Sequence, residues 1–437
     1  MGRLAIRRLS SLADDERARI LARATAAIFD GELRQSVAAI VDDVKRDGDV
    51  AVSRALSRFD GIECPPDGLQ VGADEFTRAR EELDVAVIEA IRTGIANIRA
   101  FNERVVADAA WRAEIAPGVE AGEKAGPIDA AALFIPSGKG SFPSVLMQIG
   151  TPAVVAGVPT IVVLVPPLRG RLEVDPAVLV VAEELGLENV FRVNGPAGIA
   201  AAALGTDSIP RVSRIVGPGS PAVTAAQIAV QAYGCSTVML FGPSESVIIA
   251  DDSPDPRILA ADLLNEAEHG LDSASLLLTP SKQLVEAVSE EVERQLDLLP
   301  DWRREFAESS ISRFGGAFLV GDLDEAAAFV NEYAPEHLQL ATRDPEALLA
   351  KIEHAGEVLL GDTPFAAANF VLGIPATLPT GRFARVSSGV TARTFLKTTS
   401  VGRSSPEALA RLAPAIVALA EHEGFPAHAN AIRERGL

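Results

Sequence analysis

Cysteine is nearly absent from this chain: 437 residues contain two, Cys64 and Cys235. Neither has a second cysteine at CxxC spacing, which excludes a disulfide framework and a cysteine-based zinc site. Aromatic residues make up 5% of the sequence, so its cores must be filled by Ala, Val, Leu and Ile. Bases are outnumbered, 40 Lys and Arg against 60 Asp and Glu, and the formal net charge is −20. No segment concentrates the bases. Such a chain repels phosphate backbones and anionic lipid, so neither nucleic acid nor a membrane surface is expected as a partner. The longest apolar run, 161–167, is too short to span a bilayer. The N-terminal stretch MGRLAIRRLSSLADDERARI lacks the apolar segment of a signal peptide, and a cytoplasmic location is expected.

What is present has the texture of an α/β enzyme. The length exceeds the roughly 100–200 residues of one domain, so two large units are expected. Residues 11–106 carry apolar residues at helical spacing, as in ELRQSVAAIVDDV. Residues 118–126 (GVEAGEKAG) break that pattern and read as a hairpin. Short apolar runs then alternate with Ala-rich helical segments. One series of strands is expected at 131–135, 160–165, 189–193, 213–216 and 237–241. A second is expected at 246–250, 274–279, 317–320, 337–341 and 357–360. Strands alternating with helices indicate βαβ units and a parallel sheet, here twice over. In the first series the strands lead into PSGKG, NGPAG, GPGS and GPSE. Glycine there lets backbone approach a ligand, and open parallel sheets bind ligands beyond the carboxyl ends of their strands. No complete GxGxxG is present.

Histidine is scarce as well: His269, His337, His354, His422 and His428 are the full set. His269 follows Glu266 by three residues in ILAADLLNEAEHG, so a carboxylate and an imidazole share one helix face. That pair suits a divalent cation, while on its own it reads first as a solvated helix end. His337 follows Glu336 in YAPEHLQLAT, where Pro335 stops a helix and an alternating strand begins. An imidazole there can carry a proton near neutral pH. Adjacent strand residues face opposite ways, so Glu336 and His337 need not touch. His428 lies in a charged tail, EHEGFPAHANAI, which reads as solvated. His354 reads as a helix-end residue that complements the dipole. Ser244 of GPSES has no base beside it in the sequence, and no GxSxG is present.

Taken in order, these segments resemble the histidinol dehydrogenases. The matching stretches are FIPSGKGSFPSVLM, VNGPAGIAA, GTDSIPRVSRIVGPGS, FGPSESVIIAD, DLLNEAEHGLDSASLLLTP, APEHLQL, LPTG, SSGVTARTFLKTTSV and EGFPAHANA. The resemblance implies a homodimer with zinc and NAD as cofactors. Its fold would have two incomplete Rossmann-like parallel-sheet domains, with small terminal helical segments intertwined between subunits. The implied division is 1–27 as an N-terminal helical segment and 28–133 with 244–388 as a first domain carrying metal and catalytic residues. Residues 134–243 would form a second domain on the cofactor side, and 389–437 a helical segment reaching the partner. The family oxidises L-histidinol to the aldehyde and on to L-histidine, using two NAD⁺. By the same resemblance His337 takes the alcohol proton and Glu336 helps activate water. Glu266, His269, Asn369 and His428 occupy the metal positions. Ser244 and Glu423 contact substrate, and Phe134, Ala197 and Ser220 align with cofactor contacts.

Several positions depart from the family pattern. Its metal set is Gln, His, Asp, His, where this chain has Glu266 and Asn369 at the first and third places. The two exchanges offset each other in charge, and oxygen ligands of either kind serve a divalent cation. The family's GPNHVLPT reads GIPATLPT here, so Ala376 stands where a substrate-contacting His is usual. Phe134, Ala197 and Ser220 replace Tyr, Gln and Asn. A site built for a polar group rejects what cannot pair with it. The expected function is therefore NAD-dependent oxidation of a different small polar alcohol or amino alcohol. The rivals are a true L-histidinol dehydrogenase and, from another class, a metal-dependent hydrolase with Glu336 as base.

Overall fold

The computed structural model describes residues 4–23, 30–137, 140, 142–238 and 242–437. The strands in chain order begin with β1 (Ile6–Arg8), then the hairpin β2 (Trp111–Ala116) and β3 (Val119–Pro127). Next come β4 (Ala130–Phe134), β5 (Thr160–Val165), β6 (Val190–Arg192), β7 (Arg214–Val216) and β8 (Ser236–Thr237). The second series is β9 (Glu245–Ala250), β10 (Ala274–Thr279), β11 (Gly316–Leu319), β12 (His337–Ala341) and β13 (Glu357–Leu360), and β14 (Leu396–Ser404) closes the set. Residues 239–241 of the expected strand at 237–241 lie outside the described residues, as do 138, 139 and 141 of the PSGKGS stretch.

Two parallel sheets result, as expected. One is five-stranded in the order β6-β5-β4-β7-β8, the other six-stranded in the order β1-β11-β10-β9-β12-β13. Setting β1 aside, both follow one plan: the first strand of the series is central, the next two add on one side, and the last two on the other. Every pair in both sheets is parallel. The third sheet is antiparallel, β14-β3-β2; a hairpin is present, but it spans β2 and β3, and the stretch 118–126 expected to hold it forms its turn and second strand only.

The unbroken apolar runs follow from burial on both faces. In β4 and β5, Ala131, Leu133, Ile161, Val163 and Val165 enter one core, while Ala132, Phe134, Val162 and Leu164 enter the other. The period of two assigns alternate residues to opposite sides. The six-stranded sheet does the same: Ile248 and Leu277 face one core, Val247, Ile249, Leu276 and Leu278 the other. Each fully buried Val or Leu contributes about 1.5–3 kcal/mol relative to exposure.

These cores divide the chain differently from the expected boundaries. The helices of 31–107 were grouped with 244–388, but they cover the five-stranded sheet. Val37, Val41, Val44 and Val52 join one of its cores, and Ile88, Ile91, Ile95 and Ile98 join the other. Helical periodicity identifies an apolar face, not the sheet that the face will meet. The N-terminal segment also contains a strand: β1 pairs with β11 in parallel, and Leu9 and Ile20 pack under the six-stranded sheet. At the other end, β14 pairs with β3, and helices Pro406–His422 and Pro426–Arg433 follow with Leu412, Leu419 and Phe425 exposed.

Candidate active site

The chemistry-bearing side chains gather at the amino ends of β9, β12 and β13. Helix Leu323–Tyr333 ends at Ala334, which has φ of 50° in the left-handed region. That turn, followed by Pro335, delivers Glu336 and His337 to the start of β12. Ser244 and Glu245 stand at the start of β9 and Glu357 at the start of β13. Helix Pro256–Ala267 brings Glu266 to the same end, with His269 in the turn beyond it.

His337 is the centre of the group. It is 3% exposed, and its Nδ1 lies 2.5 Å from Glu357 Oε1. The two residues are register partners across β12 and β13. Its Nε2 faces the other way, 3.7 Å from Glu336 Oε1 and 4.0 Å from Glu266 Oε2. Glu336 and His337 therefore do approach each other, because Glu336 precedes the strand and escapes its alternation. With Nδ1–H donated to Glu357, Nε2 is the nitrogen left to exchange a proton. Burial alone would lower the His337 pKa, but the carboxylates of Glu266, Glu357 and Glu336 outweigh it and raise the imidazole to about 10. Glu336 is pushed up to about 8, first by burial and then by Glu266 and Glu245, against the pull of His337. Its Oε2 accepts the Glu245 N–H at 3.1 Å. The two groups titrate as a pair.

Three of the four expected metal positions converge. Glu266 is fully buried, His269 Nδ1 lies 3.0 Å from its Oε2, and Asn369 Nδ2 donates to its Oε1 at 2.7 Å. Asn265 donates to the same Oε1 at 2.8 Å. Burial would raise the Glu266 pKa, yet His269, His337 and the two amides hold it below its usual value. Its Oε2 is buried and accepts no hydrogen bond, with the His269 imidazole beside it as an ion-pair partner. An ionised carboxylate with a spare oxygen, an imidazole and an amide that can turn its oxygen inward make a donor set that fits a divalent cation. Among the described residues no three His, Cys, Asp or Glu side chains of one chain form such a group alone. His428 and Glu423 are exposed on the C-terminal segment, where the His428 ring lies 5.1 Å from that of Phe425, tilted by 42°. The single chain does not bring them to Glu266.

Ser244 Oγ lies 3.1 Å from His269 Nδ1, so a base that sequence neighbours do not supply is brought in by the fold. Ala376 donates its N–H to Gln148 Oε1 at 3.2 Å, and Gln148 Nε2 donates to the Ala368 carbonyl at 3.2 Å. These bonds tie the Asn369 segment to helix Pro143–Ala156 of the five-stranded unit. His354 lies beyond helix Pro345–Leu349, with Glu353 4.0 Å away, and caps nothing.

The five-stranded sheet presents its other end. β4 and β7 are neighbours, but the helices that follow them, Pro143–Ala156 and Pro221–Val230, pack on opposite faces. That is a topological switch point, where open α/β sheets hold their ligands. Gly217 has φ of 139°, and a Cβ there would meet the Phe134 carbonyl oxygen at 2.1 Å, so only glycine lets β4 and β7 open side by side. Ser220 is exposed and caps helix Pro221–Val230 through the Val223 N–H at 3.4 Å. Phe134 and Ala197 are 2% and 0% exposed and sit in the core beneath the crevice. The two ends meet: a Cβ on Gly140, in the loop after β4, would lie 3.3 Å from Arg303, which donates to the Glu268 carbonyl at 2.7 Å.

Sequence reasoning missed Glu357, Glu245, Asn265 and Arg23. A signal for Glu357 existed: a lone carboxylate opens the apolar run EVLL, one strand after the His337 run. Nothing in the sequence pointed to Arg23.

A buried imidazole between carboxylates, beside a switch-point crevice of the dinucleotide-binding type, defines a proton-handling α/β enzyme. Comparison with known proteins makes the assignment specific. The family model described as histidinol dehydrogenase matches residues 24–436, and the chain belongs to that family. It is 40% identical over 430 residues to the histidinol dehydrogenase homolog of Colwellia psychrerythraea, spanning 98% of this chain and 95% of the other. It is also 40% identical over 398 residues to the histidinol dehydrogenase of Synechocystis, spanning 91% of each. The crystal structure of histidinol dehydrogenase from Elizabethkingia anophelis superposes with a TM-score of 0.92 at 31% identity, covering 99% of this chain and 98% of that one. The family comprises dimeric NAD- and zinc-using oxidoreductases that act on CH–OH groups of small molecules. Among the described residues no helix is long and apolar enough to cross a membrane.

Proposed function

We propose that the protein oxidises a small polar alcohol or amino alcohol other than L-histidinol, first to the aldehyde and then to the carboxylate. The observation that carries the reaction type is the orientation of His337: Nδ1 is held by Glu357, and Nε2 faces Glu336 and Glu266. His337 takes the hydroxyl proton at Nε2 while Glu357 keeps the ring in place. Glu336 takes a proton from the water that adds to the aldehyde. Glu266, His269 and Asn369, with His428 of the partner subunit, would hold a divalent cation, and Ser244 and the partner's Glu423 would contact substrate. When bound, NAD would supply the hydride acceptor, and a divalent cation held by Glu266 and His269 would help orient the alcohol and offset the pull of Glu266 on the imidazole. Ser220 borders the crevice proposed for the dinucleotide, and Phe134 and Ala197 lie in the core beneath it. The reading places the enzyme in the cytoplasm as a homodimer.

The substrate reading rests on Ala376, which cannot donate a hydrogen bond from a ring, and on the exchanged pair Glu266 and Asn369. A relative named histidinol dehydrogenase is as similar as one named a homolog, which keeps L-histidinol itself as the second reading. An absorbance assay of NADH formation over a panel of alcohols decides. The expected result is a higher kcat/KM for another amino alcohol or diol than for L-histidinol. Best turnover on L-histidinol would establish the second reading, and cofactor-independent hydrolysis with no alcohol oxidised would sink both.

A further inference from the structure

An ion pair from the start of the chain reaches this site from behind. Helix Asp14–Ala22 ends at Arg23, whose φ of 57° and ψ of −156° fall in a region all but confined to glycine. Such a backbone persists only where its surroundings hold it. Here three contacts hold the guanidinium. Its Nε lies 3.1 Å from Glu245 Oε1, another nitrogen donates to the Tyr333 carbonyl, and the group sits 3.7 Å from the centre of the Tyr333 ring. The Arg23 and Glu245 side chains are 3% and 2% exposed, so water is shut out.

A pair this deeply buried is weak evidence for stability, because apolar residues of similar volume serve a core as well or better. Its connections point elsewhere. Glu245 Oε1 also accepts the Gly381 N–H at 2.8 Å, which clamps the side chain from a second side. The Glu245 N–H in turn donates to Glu336 Oε2 at 3.1 Å. Arg23, Glu245 and Glu336 therefore form one chain of contacts from a strained helix end to the carboxylate beside His337. Tyr333 joins the same chain, since it ends the helix whose next turn delivers Glu336.

We propose that Arg23 is a positioning residue, which through Glu245 fixes the Glu336 carboxylate and so serves aldehyde hydration more than alcohol oxidation. This rests on the reading of Glu336 as the group that activates water. In the step served, water oxygen bonds to the aldehyde carbon as the carbonyl π pair moves to oxygen. The water proton passes to Glu336, and the carbonyl oxygen takes the proton that His337 received from the alcohol. Alcohol oxidation needs His337, whose ring is held from the other side by Glu357 and does not depend on Arg23.

The test compares kcat for alcohol and for aldehyde in the full-length dimer. The probes are L-histidinol and the best alcohol from the panel, each with its aldehyde. Glu336→Gln serves as the reference and should slow aldehyde oxidation by about a hundredfold and alcohol oxidation by much less. The double variant Arg23→Met with Glu245→Gln leaves no buried charge unpaired, so it should melt near the parent. Its ratio of aldehyde to alcohol turnover should fall by about tenfold, the effect of a misplaced group. Arg23→Lys keeps the charge but loses the planar fork, and should lower the ratio in the same direction. An unchanged ratio in a folded double variant overturns the proposal, and where that variant does not fold, an unchanged ratio in Arg23→Lys does so. If Glu336→Gln slows both steps alike, the reading of Glu336 fails and takes this proposal with it. If Glu336→Gln behaves as stated and the Arg23 variants do not, only the positioning role is lost.

Discussion

The two parallel sheets share one strand order, yet their proposed sites lie at opposite ends. The five-stranded sheet has its switch point at the carboxyl ends of β4 and β7, beside Gly217 and Ser220. The six-stranded sheet collects its carboxylates and imidazoles at the amino ends of β9, β12 and β13. Helix dipoles make the two ends of such a sheet unlike. At the carboxyl ends of parallel strands the following helices begin, and their N–H groups favour anions such as a pyrophosphate. At the amino ends the preceding helices finish, and their carbonyls favour cations. Helices Pro256–Ala267 and Leu323–Tyr333 both end beside the His337 cluster. One topology thus offers an anion seat and a cation seat, and the side chains decide which end is used.

The sharpest way to break this comparison is to remove the imidazole. His337→Asn should lower turnover by about two to four orders of magnitude, with the affinity for NAD unchanged, if the cation end carries the proton transfer. A rate near that of the parent would move the base elsewhere. Next in size is the support behind it. Glu357→Gln should reduce kcat by about tenfold to a hundredfold, as removal of a partner that orients a site histidine does. Steady-state kinetics that change KM and leave kcat intact would assign Glu357 a binding role instead.

How much of this was legible beforehand differs between the two sheets. The apolar runs of β5 (TIVVLV) and β10 (ASLLLT) announced buried parallel strands, and their bounds match the reading to the residue. The glycine-rich turns marked the carboxyl-end crevice by their composition. β1 did not announce itself, because IRR is a polar three-residue edge strand. The cation end was legible only in part. Glu266 and His269 do meet, as their spacing suggested, although His269 lies in the turn beyond the helix, but Glu357, Glu245 and Arg23 arrive from strands and a helix end distant in sequence. Their meeting depends on register and chain crossing, which local patterns do not encode. The same limit misplaced residues 31–107, whose periodicity was right and whose partner sheet was not.

Acidity gives a third test, on stability. In the metal-free fold the His337 pKa is raised from 6.5 to about 10 and that of Glu336 from 4.5 to about 8. A raised value means that the folded state binds the proton more tightly than the unfolded chain. Its contribution is therefore full below the unfolded pKa and is lost as pH rises through the folded one. Both groups act in the same direction, so stability of the metal-free protein should fall as pH climbs from about 5 to about 10. Thermal unfolding at a series of pH values checks this. The combined His337→Asn and Glu336→Gln variant should show a flatter profile, and an equally steep one would place the titrating groups elsewhere. The smallest effect belongs to the anion end. Ser220→Ala removes the cap of helix Pro221–Val230 and should raise KM for NAD by about twofold to fivefold without moving the pH–rate profile.

The central claim is that the amino end of one sheet holds the cation and the proton, while the carboxyl end of the other holds the dinucleotide. A crystal structure of the dimer grown with zinc and NAD⁺ tests it most directly. The account predicts one zinc ion bound by Glu266, His269, Asn369 and His428 of the partner subunit, beside His337 Nε2. It also predicts the pyrophosphate between β4 and β7 near Gly217 and Ser220. Zinc bound away from Glu266, or a dinucleotide lodged at another end of either sheet, would contradict it.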